Sequence, residues 1–405
     1  MNKPVVIIGA GPAGLSAAIE LKRRGIDKVI VVEREAESGG IPRHSHHQGF
    51  GIRDLHRTLT GPRYAERLTA DALKAGVTLH LSATADLDPQ QLVVSITSAS
   101  GIEHHDAAAV LITTGARERP RPARLVAGDR PAGVFTTGQL QQWVAAGRPI
   151  GSRALVVGAE HVSYSAVLSL RHAGVKVVAL ATELSRPQSL TGVAPFVHQV
   201  LRVPTWVNTR VTGINGHSRV ASVMLEDTKS SKQRQLDVDT IVFSADWIPD
   251  HELARRSSVA IDPASLGPAS DYFGRTNRPG IYAAGNVLHP VETADRCALN
   301  ARRIATAIAS DLGLGRDSGL SLGVEVEAPI AWVWPNRIIV SRPTETLLRL
   351  SQFSEAKFVT ASQGGQRIGE AKLRHGIPGQ HLKLSTSLLR DIDPNRGVVR
   401  FALDA

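Results

Sequence analysis

The chain of 405 residues contains a single cysteine, Cys297. One thiol excludes an internal disulfide, a CxxC redox pair and an all-cysteine zinc or iron–sulfur site within this chain. Aromatic residues make up only 4% of the sequence, and no basic run is interleaved with them. The sequence therefore gives no support for a nucleic-acid surface.

Long hydrophobic runs are also missing. No apolar run reaches the ~18 residues that a membrane-spanning helix needs, and no segment is of low complexity. The apolar start VVIIGAG is too short for a signal sequence, lacks a small-residue cleavage pattern and runs directly into a glycine-rich turn. We therefore expect no membrane span and a cytoplasmic location.

Acidic residues are fewer than basic ones, 37 against 47, which gives a formal net charge of +10. A basic excess of this kind favours an acidic protein partner over nucleic acid, because the charge is spread along the chain. The densest run, KSSKQR at 229–234, has the look of a solvated hairpin tip. The length predicts two to three domains.

The first 33 residues carry a strand–turn–helix–strand pattern. Residues 3–8 predict a short buried strand, GAGPAG at 9–14 gives the spacing GxGxxG, and an amphipathic helix follows to about Arg24. Residues 28–33 predict the next strand, which ends in Glu33, 19 residues past Gly14. This spacing is typical of a dinucleotide site, with pyrophosphate at the helix N-terminus and the acid on the ribose.

A second copy of this pattern begins at 153–159 and ends at 175–183. Gly158 keeps the tight turn, but Glu160 and Ser163 stand where the first copy has Gly11 and Gly14. Intact scaffolding and Glu183, 20 residues past Ser163, favour NAD over NADP. A carboxylate beside two phosphates opposes binding. We expect a weakened NAD(P) site, and a fold retained for packing alone stays open.

The remaining segments predict mostly strands. Strands are expected at 76–87, 92–97, 109–120 and 280–286, a β-meander at 207–243, a helix from about Ala294 to Leu312 and a linker at 313–323. After the linker, short alternating segments separated by GG and PG turns predict a small β-sandwich. The fold class is α/β, with two Rossmann-like domains, the second inserted in the first, and a C-terminal all-β domain.

The order of motifs resembles a known family. GAGPAG, Glu33, Gly39-Gly40, Thr113-Thr114-Gly115, the second βαβ unit and GIYAAGN are similar to the pyridine nucleotide–disulfide oxidoreductase superfamily of flavoproteins. IPRH, TTGARERPRPARLVAGDRPAGVFTTGQLQ and HPVETADRCALNARR resemble the FAD subunits of opine oxidase, hydrogen cyanide synthase and hydroxyproline or proline dehydrogenase. Members of that group often work with a second flavoprotein subunit that oxidises the amine.

This resemblance implies three domains and a set of cofactor contacts. The FAD-binding domain would comprise 1–118 and 247–316, the NAD(P)-binding-like domain 119–246, and the β-sandwich-like domain 317–405. The residues implied to bind FAD are Gly9, Gly11, Pro12, Ala13, Gly14, Glu33, Arg34, Gly40, Ile41, Pro42, Arg43, His47, Ala85, Thr114, Gly115, Gly285, Asn286 and Thr293. Those of the second site are Gly158 and Glu183.

Two positions depart from the superfamily pattern. The redox cysteines of its disulfide reductases fall on Pro42 and His47 here, so no thiol relay is possible. The superfamily's Gly-Asp before the last helix is Gly285-Asn286, and asparagine keeps hydrogen-bonding capacity. Cys297 is expected to be packed rather than catalytic.

Histidines 44, 46, 47 and 56 allow three interpretations. With a carboxylate they suit zinc or iron. Together with Arg43 and Arg53 they suit packing around flavin and phosphates, which we favour, and we predict no metal site. A histidine over the flavin can also serve as acid or base, and His47 is our candidate for that role.

Three functions remain open at this point. The first is an FAD-dependent oxidoreductase that moves a hydride through flavin N5, as one subunit of an amine, opine or amino-acid dehydrogenase system. The second is a stand-alone NAD(P)H-dependent reductase of a small acceptor or electron carrier. The third is a catalytically silent FAD-containing assembly subunit. The expected partners are a small-molecule substrate and a second flavoprotein subunit.

Overall fold

The computed structural model describes residues 3–188, 199, 201–290, 292–315, 319–373 and 375–404. Internal contacts divide the chain into two compact units. The first unit comprises 1–43, 48–116 and 249–405, and the second unit comprises 44–47 and 117–248. The C-terminal residues share the first unit, and the three-domain division remains a prediction.

The α-helices are α1 (Pro12–Arg23), α2 (Gly61–Lys74), α3 (Thr137–Ala145), α4 (His161–His172), α5 (Glu252–Arg256) and α6 (Ala294–Leu314). The strands of the first half of the chain are β1 (Val5–Ile8), β2 (Val29–Val32), β3 (Gln48–Phe50), β4 (Leu59–Thr60), β5 (Thr78–His80), β6 (Thr84–Leu87), β7 (Val93–Ser98), β8 (Gly101–Asp106), β9 (Ala109–Ile112), β10 (Ala116–Glu118), β11 (Ala127–Gly128), β12 (Val134–Thr136), β13 (Arg153–Val157) and β14 (Lys176–Ala181).

The later strands are β15 (Thr205–Trp206), β16 (Thr209–Asn215), β17 (Ser222–Asp227), β18 (Gln233–Asp237), β19 (Thr240–Phe243), β20 (Trp247–Pro249), β21 (Ile281–Ala283), β22 (Ser321–Val326), β23 (Ile330–Trp334), β24 (Arg337–Ile339), β25 (Thr346–Leu350), β26 (Phe358–Gln363), β27 (Gln366–Lys372), β28 (His381–Leu384) and β29 (Val399–Asp404).

A parallel sheet in the order β21-β9-β1-β2-β5 forms the centre of the first unit. All four residues of β1 and of β9 are buried, as expected for parallel strands covered on both faces. Helix α1 packs extensively on α6. The carboxyl ends of β1, β2 and β9 therefore meet at one edge, where a doubly wound sheet binds its ligands.

The second unit repeats this arrangement. Its parallel sheet runs in the order β12-β19-β13-β14-β15, in which β13, β14 and β19 take the places of β1, β2 and β9. Together with the sheet of the first unit, this confirms the predicted α/β fold with two Rossmann-like parts. A second sheet, β11-β16-β17-β18, is antiparallel over β16, β17 and β18.

Two boundaries differ from the sequence prediction. The predicted meander at 207–243 is wrong at its end, because β19 is buried on both faces and joins the parallel sheet instead. The predicted linker at 313–323 is wrong from 321 onward, because Ser321 begins β22. Residues 229–234 do form a hairpin tip between β17 and β18, as predicted.

The C-terminal β region, residues 321–404, is all-β apart from one short 3₁₀ turn within the part that the structure describes. Its sheets run in the orders β24-β22-β29-β26-β27 and β23-β25-β28. Apolar side chains of both sheets, among them Val333, Leu348, Val359 and Phe401, share one buried core. Two packed sheets over a common core are the expected β-sandwich arrangement.

Candidate functional site

The turn between β1 and α1 is built around glycines that tolerate no side chain. Gly9 has φ +107°, and a Cβ atom there would lie 2.5 Å from the Thr113 carbonyl oxygen. A Cβ on Gly14 would lie 1.9 Å from the Gly9 carbonyl oxygen. Thr113 supports the turn by donating its hydroxyl to the carbonyl oxygens of Ile8 and Gly9, at 2.9 Å each. Both glycines are thus required for the turn to close.

Gly11 and Gly40 leave open space beside the first turn of α1. A Cβ on Gly40, which has φ +64°, would lie 2.9 Å from the Gly11 Cα atom. A Cβ on Gly11 would meet nothing closer than 4.0 Å. The helix begins with Pro12, and its N-cap residue Gly11 supplies no side-chain hydrogen bond. An uncapped helix N-terminus beside open space fits the pyrophosphate of a dinucleotide.

Glu33, directly after β2, holds the same turn from the other side. Its two carboxylate oxygens accept from the backbone N–H groups of Ala10, at 2.8 Å, and Glu35, at 3.0 Å. The carboxylate therefore lies against the glycine turn, where its remaining lone pairs can accept from a ribose hydroxyl.

The Gly285-Asn286 pair closes the loop that leads into α6. Gly285, with φ +75°, donates its N–H to Asn300 at 2.9 Å, and a Cβ there would lie 2.8 Å from Ala13. The side-chain oxygen of Asn286 accepts from the Glu292 N–H at 2.8 Å, and its amide nitrogen donates to the Glu292 carbonyl at 3.2 Å. An ionised aspartate has no donor for that second bond. This explains the asparagine at this position.

The first turn of α6 carries a buried carboxylate. Asp295 is 3% exposed and accepts from the backbone and guanidinium of Arg53, at 3.2 and 3.0 Å, and from the Thr293 hydroxyl. Burial by itself would raise the pKa of Asp295, but the hydrogen bonds from Thr293 and Arg53 and the Arg53 charge outweigh it and lower the pKa. The pair fixes the 51–57 segment against the helix end.

Asp54, Tyr64 and Arg302 were not singled out by sequence reasoning. The Tyr64 hydroxyl donates to Asp54 at 2.7 Å, and the Arg302 guanidinium donates to the Asp54 carbonyl at 3.2 Å. Burial raises the pKa of Asp54 above its ordinary value. The adjacent arginine and aspartate at 53–54 were the only signal in the sequence, and they become informative only when their partners on α2 and α6 are known.

Other predicted FAD contacts lie at the same edge of the first sheet. Thr114 donates its hydroxyl to the Asp250 carbonyl at 2.7 Å, and the Gly115 carbonyl accepts from the Asp250 N–H at 2.9 Å. The Arg34 guanidinium lies 3.6 Å from the Asp250 carboxylate. Ala85 lies in β6, paired with Ile96 of β7.

The segment after Gly40 divides between the two units. Ile41–His44 forms a 3₁₀ turn in which Pro42 is buried and Ile41 is 52% exposed. The Arg43 guanidinium binds the carboxylates of Glu35 and Glu37. His47, the candidate acid or base, belongs to the second unit.

The metal interpretation of the histidines finds no cluster in the structure. Across the described residues, no group of three or more histidine, cysteine, aspartate or glutamate side chains is arranged to hold a metal ion. The His46 ring stacks on His172, with centroids 6.4 Å apart. Ser45 donates to Gln141 at 3.2 Å, so this segment is held to the helices of the second unit.

Cys297 is packed in the interior of the first unit. It is 6% exposed, and its Cβ atom would lie 3.7 Å from a Cβ placed on Gly285. Burial raises the pKa of the Cys297 thiol well above its ordinary value. A neutral, enclosed thiol is a poor nucleophile.

The corresponding turn of the second unit has the same backbone hydrogen bonds. Gly158 donates to the carbonyl of Ala181, the last residue of β14, as Gly9 donates to Val32, the last residue of β2. Gly158 has φ +130°, and a Cβ there would lie 3.1 Å from the Ser244 carbonyl. Gly11 therefore corresponds to Glu160, and each is the N-cap residue of its helix.

Glu160 fills the space that Gly11 leaves open in the first unit. It is 7% exposed and forms a capping box with Ser163, whose hydroxyl accepts from the Glu160 N–H at 3.3 Å. The Trp247 indole N–H donates to the Glu160 carboxylate at 2.9 Å. Ser163 also donates to Ser244 at 3.1 Å. The N-terminus of α4 thus already holds an anion, supplied by the chain itself.

The acid expected after β14 is displaced by one residue. Thr182, not Glu183, makes the backbone bonds that Glu33 makes in the first unit, since it donates to Trp206 as Glu33 donates to His80. The Thr182 hydroxyl accepts from the Leu184 N–H at 3.3 Å, and Glu183 is exposed. The structure therefore places threonine at the ribose position of the second turn.

Comparisons with known proteins agree with this fold. The model of the family described as pyridine nucleotide-disulphide oxidoreductase matches residues 3–309. Proteins of this family use FAD. A subunit of the opine oxidase of Agrobacterium tumefaciens (strain Ach5) is 26% identical over 346 residues, covering 76% of this chain and 66% of that protein. This chain thus spans just under two thirds of the relative.

Thioredoxin reductase of Treponema pallidum (strain Nichols) is 25% identical over 295 residues, covering 70% of this chain and 88% of that protein. Among solved structures, thioredoxin reductase of T. acidophilum superposes with a TM-score of 0.63 at 20% identity, covering 76% of this chain and 97% of that one. At that identity the superposition shows the shared fold. No helix among the described residues has the length and apolarity to cross a membrane.

Proposed function

Because the chain belongs to the pyridine nucleotide-disulphide oxidoreductase family, we propose that it is an FAD-dependent oxidoreductase that NAD(P)H does not reduce. It serves as one subunit of an amine, opine or amino-acid dehydrogenase system. When bound, FAD supplies hydride transfer at flavin N5. The chain has one cysteine, so the reaction proceeds without a redox disulfide of its own.

The observation that carries this proposal is the carboxylate of Glu160 at the N-terminus of α4. A pyrophosphate at that position would meet a like charge at ~4–5 Å, which costs on the order of one to a few kcal/mol. Each 1.4 kcal/mol is about tenfold in affinity. Displacing the carboxylate would also leave the Trp247 indole N–H without its partner. Both effects oppose NAD(P) binding, so electrons reach FAD by another route.

The residues of the first unit bind and orient the cofactor. The uncapped first turn of α1 and the space at Gly11 and Gly40 accept the pyrophosphate. Glu33 holds the ribose, and the N-terminus of α6, at Thr293, faces the flavin and favours negative charge there. His47 is the proposed acid or base.

The amine or opine assignment draws on the similarity to the opine oxidase protein, whose name describes it as one component of a larger enzyme. The excess positive charge of +10 is suited to an acidic partner protein. The rival function, a stand-alone NAD(P)H-dependent reductase, draws on the similarity to thioredoxin reductase. The third, a silent assembly subunit, predicts bound FAD that no donor reduces.

Anaerobic stopped-flow absorbance near 450 nm, the usual flavin band, separates these functions. Purified protein with bound FAD is mixed with NADH or NADPH. We expect no bleaching on the timescale of turnover. Fast bleaching of the wild-type protein by either nucleotide would establish the reductase function instead.

Three variants assign the result to Glu160. Glu160→Gly removes the charge and opens the space, and we expect it to gain measurable NAD(P)H binding. Glu160→Gln keeps the size and removes the charge, so it separates repulsion from filling. Glu183→Gln is the matched control on an exposed neighbouring acid and should behave as wild type.

An electron donor is then sought among amines. L-Proline, sarcosine and an N-(1-carboxyalkyl) amino acid are tested for flavin bleaching, with the chain alone and with the flavoprotein encoded beside it. Bleaching by one of them supports the dehydrogenase system. FAD that stays oxidised with every donor, with and without the second flavoprotein, would leave the assembly role.

A further inference from the structure

The C-terminal β region contacts the loop that leads from Gly285 to α6. We propose that Arg349 and His381 of this region are positioning residues for the FAD site, acting through Glu292. The inference depends on FAD being the cofactor and is independent of the electron donor. It gives a role to a part of the chain in which the sequence shows no functional motif.

The first step is the closure of the loop between Asn286 and Glu292. Asn286 binds both the N–H and the carbonyl of Glu292, at 2.8 and 3.2 Å, so the backbone at Glu292 fixes the side chain beside Gly285. Gly285 in turn packs on Ala13 at the start of α1, where a Cβ would lie 2.8 Å away. Any movement of Glu292 is therefore transmitted to the glycine cradle.

The second step is the position of the Glu292 side chain. The carboxylate lies 2.9 Å from His381 Nδ1, 3.6 Å from the Arg296 guanidinium and 4.0 Å from the Arg349 guanidinium. Burial by itself would raise the pKa of Glu292, but the His381 hydrogen bond and the surrounding positive charges outweigh it and lower the pKa. The carboxylate is therefore ionised and fixed by partners on β25 and β28.

The third step is a direct bond to the loop backbone. Arg349 is 7% exposed and donates to the Pro290 carbonyl at 3.0 Å. Its guanidinium also lies over the Trp332 ring, 5.4 Å from the centroid. One buried arginine thus contacts both the backbone and the carboxylate of the loop, and a bulky indole keeps it in place.

Aromatic packing holds the start of the loop. The His289 ring lies between Trp332 and Trp334, with centroids 4.8 and 5.2 Å away. Trp334 donates its indole N–H to Ser270 at 3.1 Å. Two of the five tryptophans of this aromatic-poor chain therefore pack against one histidine of the loop. The β region thus holds the loop by packing as well as by hydrogen bonds.

The test compares Arg349→Met with wild type, because methionine retains an apolar stem without the charge and the donors. Arg349→Lys restores the charge, and Arg400→Met is the matched control in β29, where Arg400 forms an exposed pair with Glu325 at 2.9 Å. Three quantities are measured on purified protein: the FAD dissociation constant, the midpoint potential of bound flavin and the thermal midpoint.

We expect Arg349→Met to weaken FAD binding at least about tenfold and to lower the flavin midpoint potential, because a fixed positive charge is lost. Arg349→Lys should recover part of both, and Arg400→Met should change neither. FAD affinity within twofold of wild type, or a potential at or above wild type, in folded Arg349→Met protein would overturn the proposal.

If Arg349→Met does not fold, His381→Gln serves in its place. Glutamine retains a donor to Glu292 without the ring, so the fold is less disturbed. The same two readouts apply, and a smaller change in the same direction is expected. His381→Gln protein with wild-type FAD affinity and potential would contradict the proposal.

Discussion

The indole N–H of Trp247 donates a hydrogen bond of 2.9 Å to the carboxylate of Glu160. This bond orients the carboxylate at the N-terminus of α4, in the space that a dinucleotide phosphate occupies in an open Rossmann turn. It also makes Glu160 a stabilising residue of the second unit, in addition to its effect on nucleotide binding.

Replacing Glu160 with alanine should destabilise the protein. The loss of a helix cap costs about 1 kcal/mol, and a buried indole N–H without a partner adds about 1 kcal/mol or more. Chemical denaturation followed by tryptophan fluorescence measures the change. Glu183→Ala, at an exposed site, should stay within about 0.5 kcal/mol of wild type. Equal midpoints for the two variants would contradict the capping role.

Gly40→Ala should abolish FAD binding. A Cβ at this position would lie 2.9 Å from the Gly11 Cα atom, so the glycine cradle has to open to accept it. Gly25→Ala is the control: Gly25 has φ +81° but nothing within 4 Å of its Cβ position. Both variants carry backbone strain of about 1 kcal/mol or more, but only Gly40→Ala should purify without flavin. Yellow Gly40→Ala protein with a full complement of FAD would show that the cradle lies elsewhere.

His289 should make the protein less stable in acid. Burial lowers the pKa of His289 from 6.5 to about 4, with Glu292 opposing and Arg349 and His381 adding to the shift. The unfolded chain therefore binds this proton at a higher pH than the folded protein, so stability is complete above pH ~6.5 and falls as the pH drops toward 4. The full contribution is about 3 kcal/mol.

The measurement is the unfolding free energy between pH 7 and pH 4 for wild type and His289→Leu. Leucine cannot take up a proton, so the variant should lose less stability over this interval. Parallel curves for the two proteins would mean that His289 keeps an ordinary pKa in the folded state.

Asp311→Asn should destabilise the first unit strongly. The Arg275 guanidinium binds both Asp311 oxygens at 2.7 Å, and both residues are under 10% exposed. Removing one partner of a buried pair costs about 3–5 kcal/mol, because the other charge stays buried. The exposed pair Arg400–Glu325 gives the comparison, since Glu325→Gln should cost less than about 1 kcal/mol. Similar thermal midpoints for the two variants would contradict the difference in burial.

The FAD cradle could be predicted from the sequence because its requirements are local. Gly9 and Gly14 allow a turn that closes on itself, and Glu33 follows the next strand at a fixed distance. The strand and helix between them are specified by apolar periodicity within about 30 residues. The same reasoning located the loop at Gly285 and the start of α6 after Thr293.

Where the chain repeats the pattern, spacing was insufficient. Counting residues from Ser163 pointed to Glu183, but the hydrogen-bond register places Thr182 opposite Glu33. The end of the predicted meander failed for a similar reason. Strand β19 looks like its neighbours in sequence, and only burial on both faces assigns it to the parallel sheet.

The sequence by itself determined the glycine turns, the βαβ order and the absence of a thiol relay, since each depends on residue types at short separations. Tertiary structure alone decided that the Glu160 carboxylate turns inward to Trp247, 87 residues away, and that Arg349 reaches Pro290, 59 residues away. A side chain's direction depends on which distant groups surround it, and those groups come together only when the chain folds.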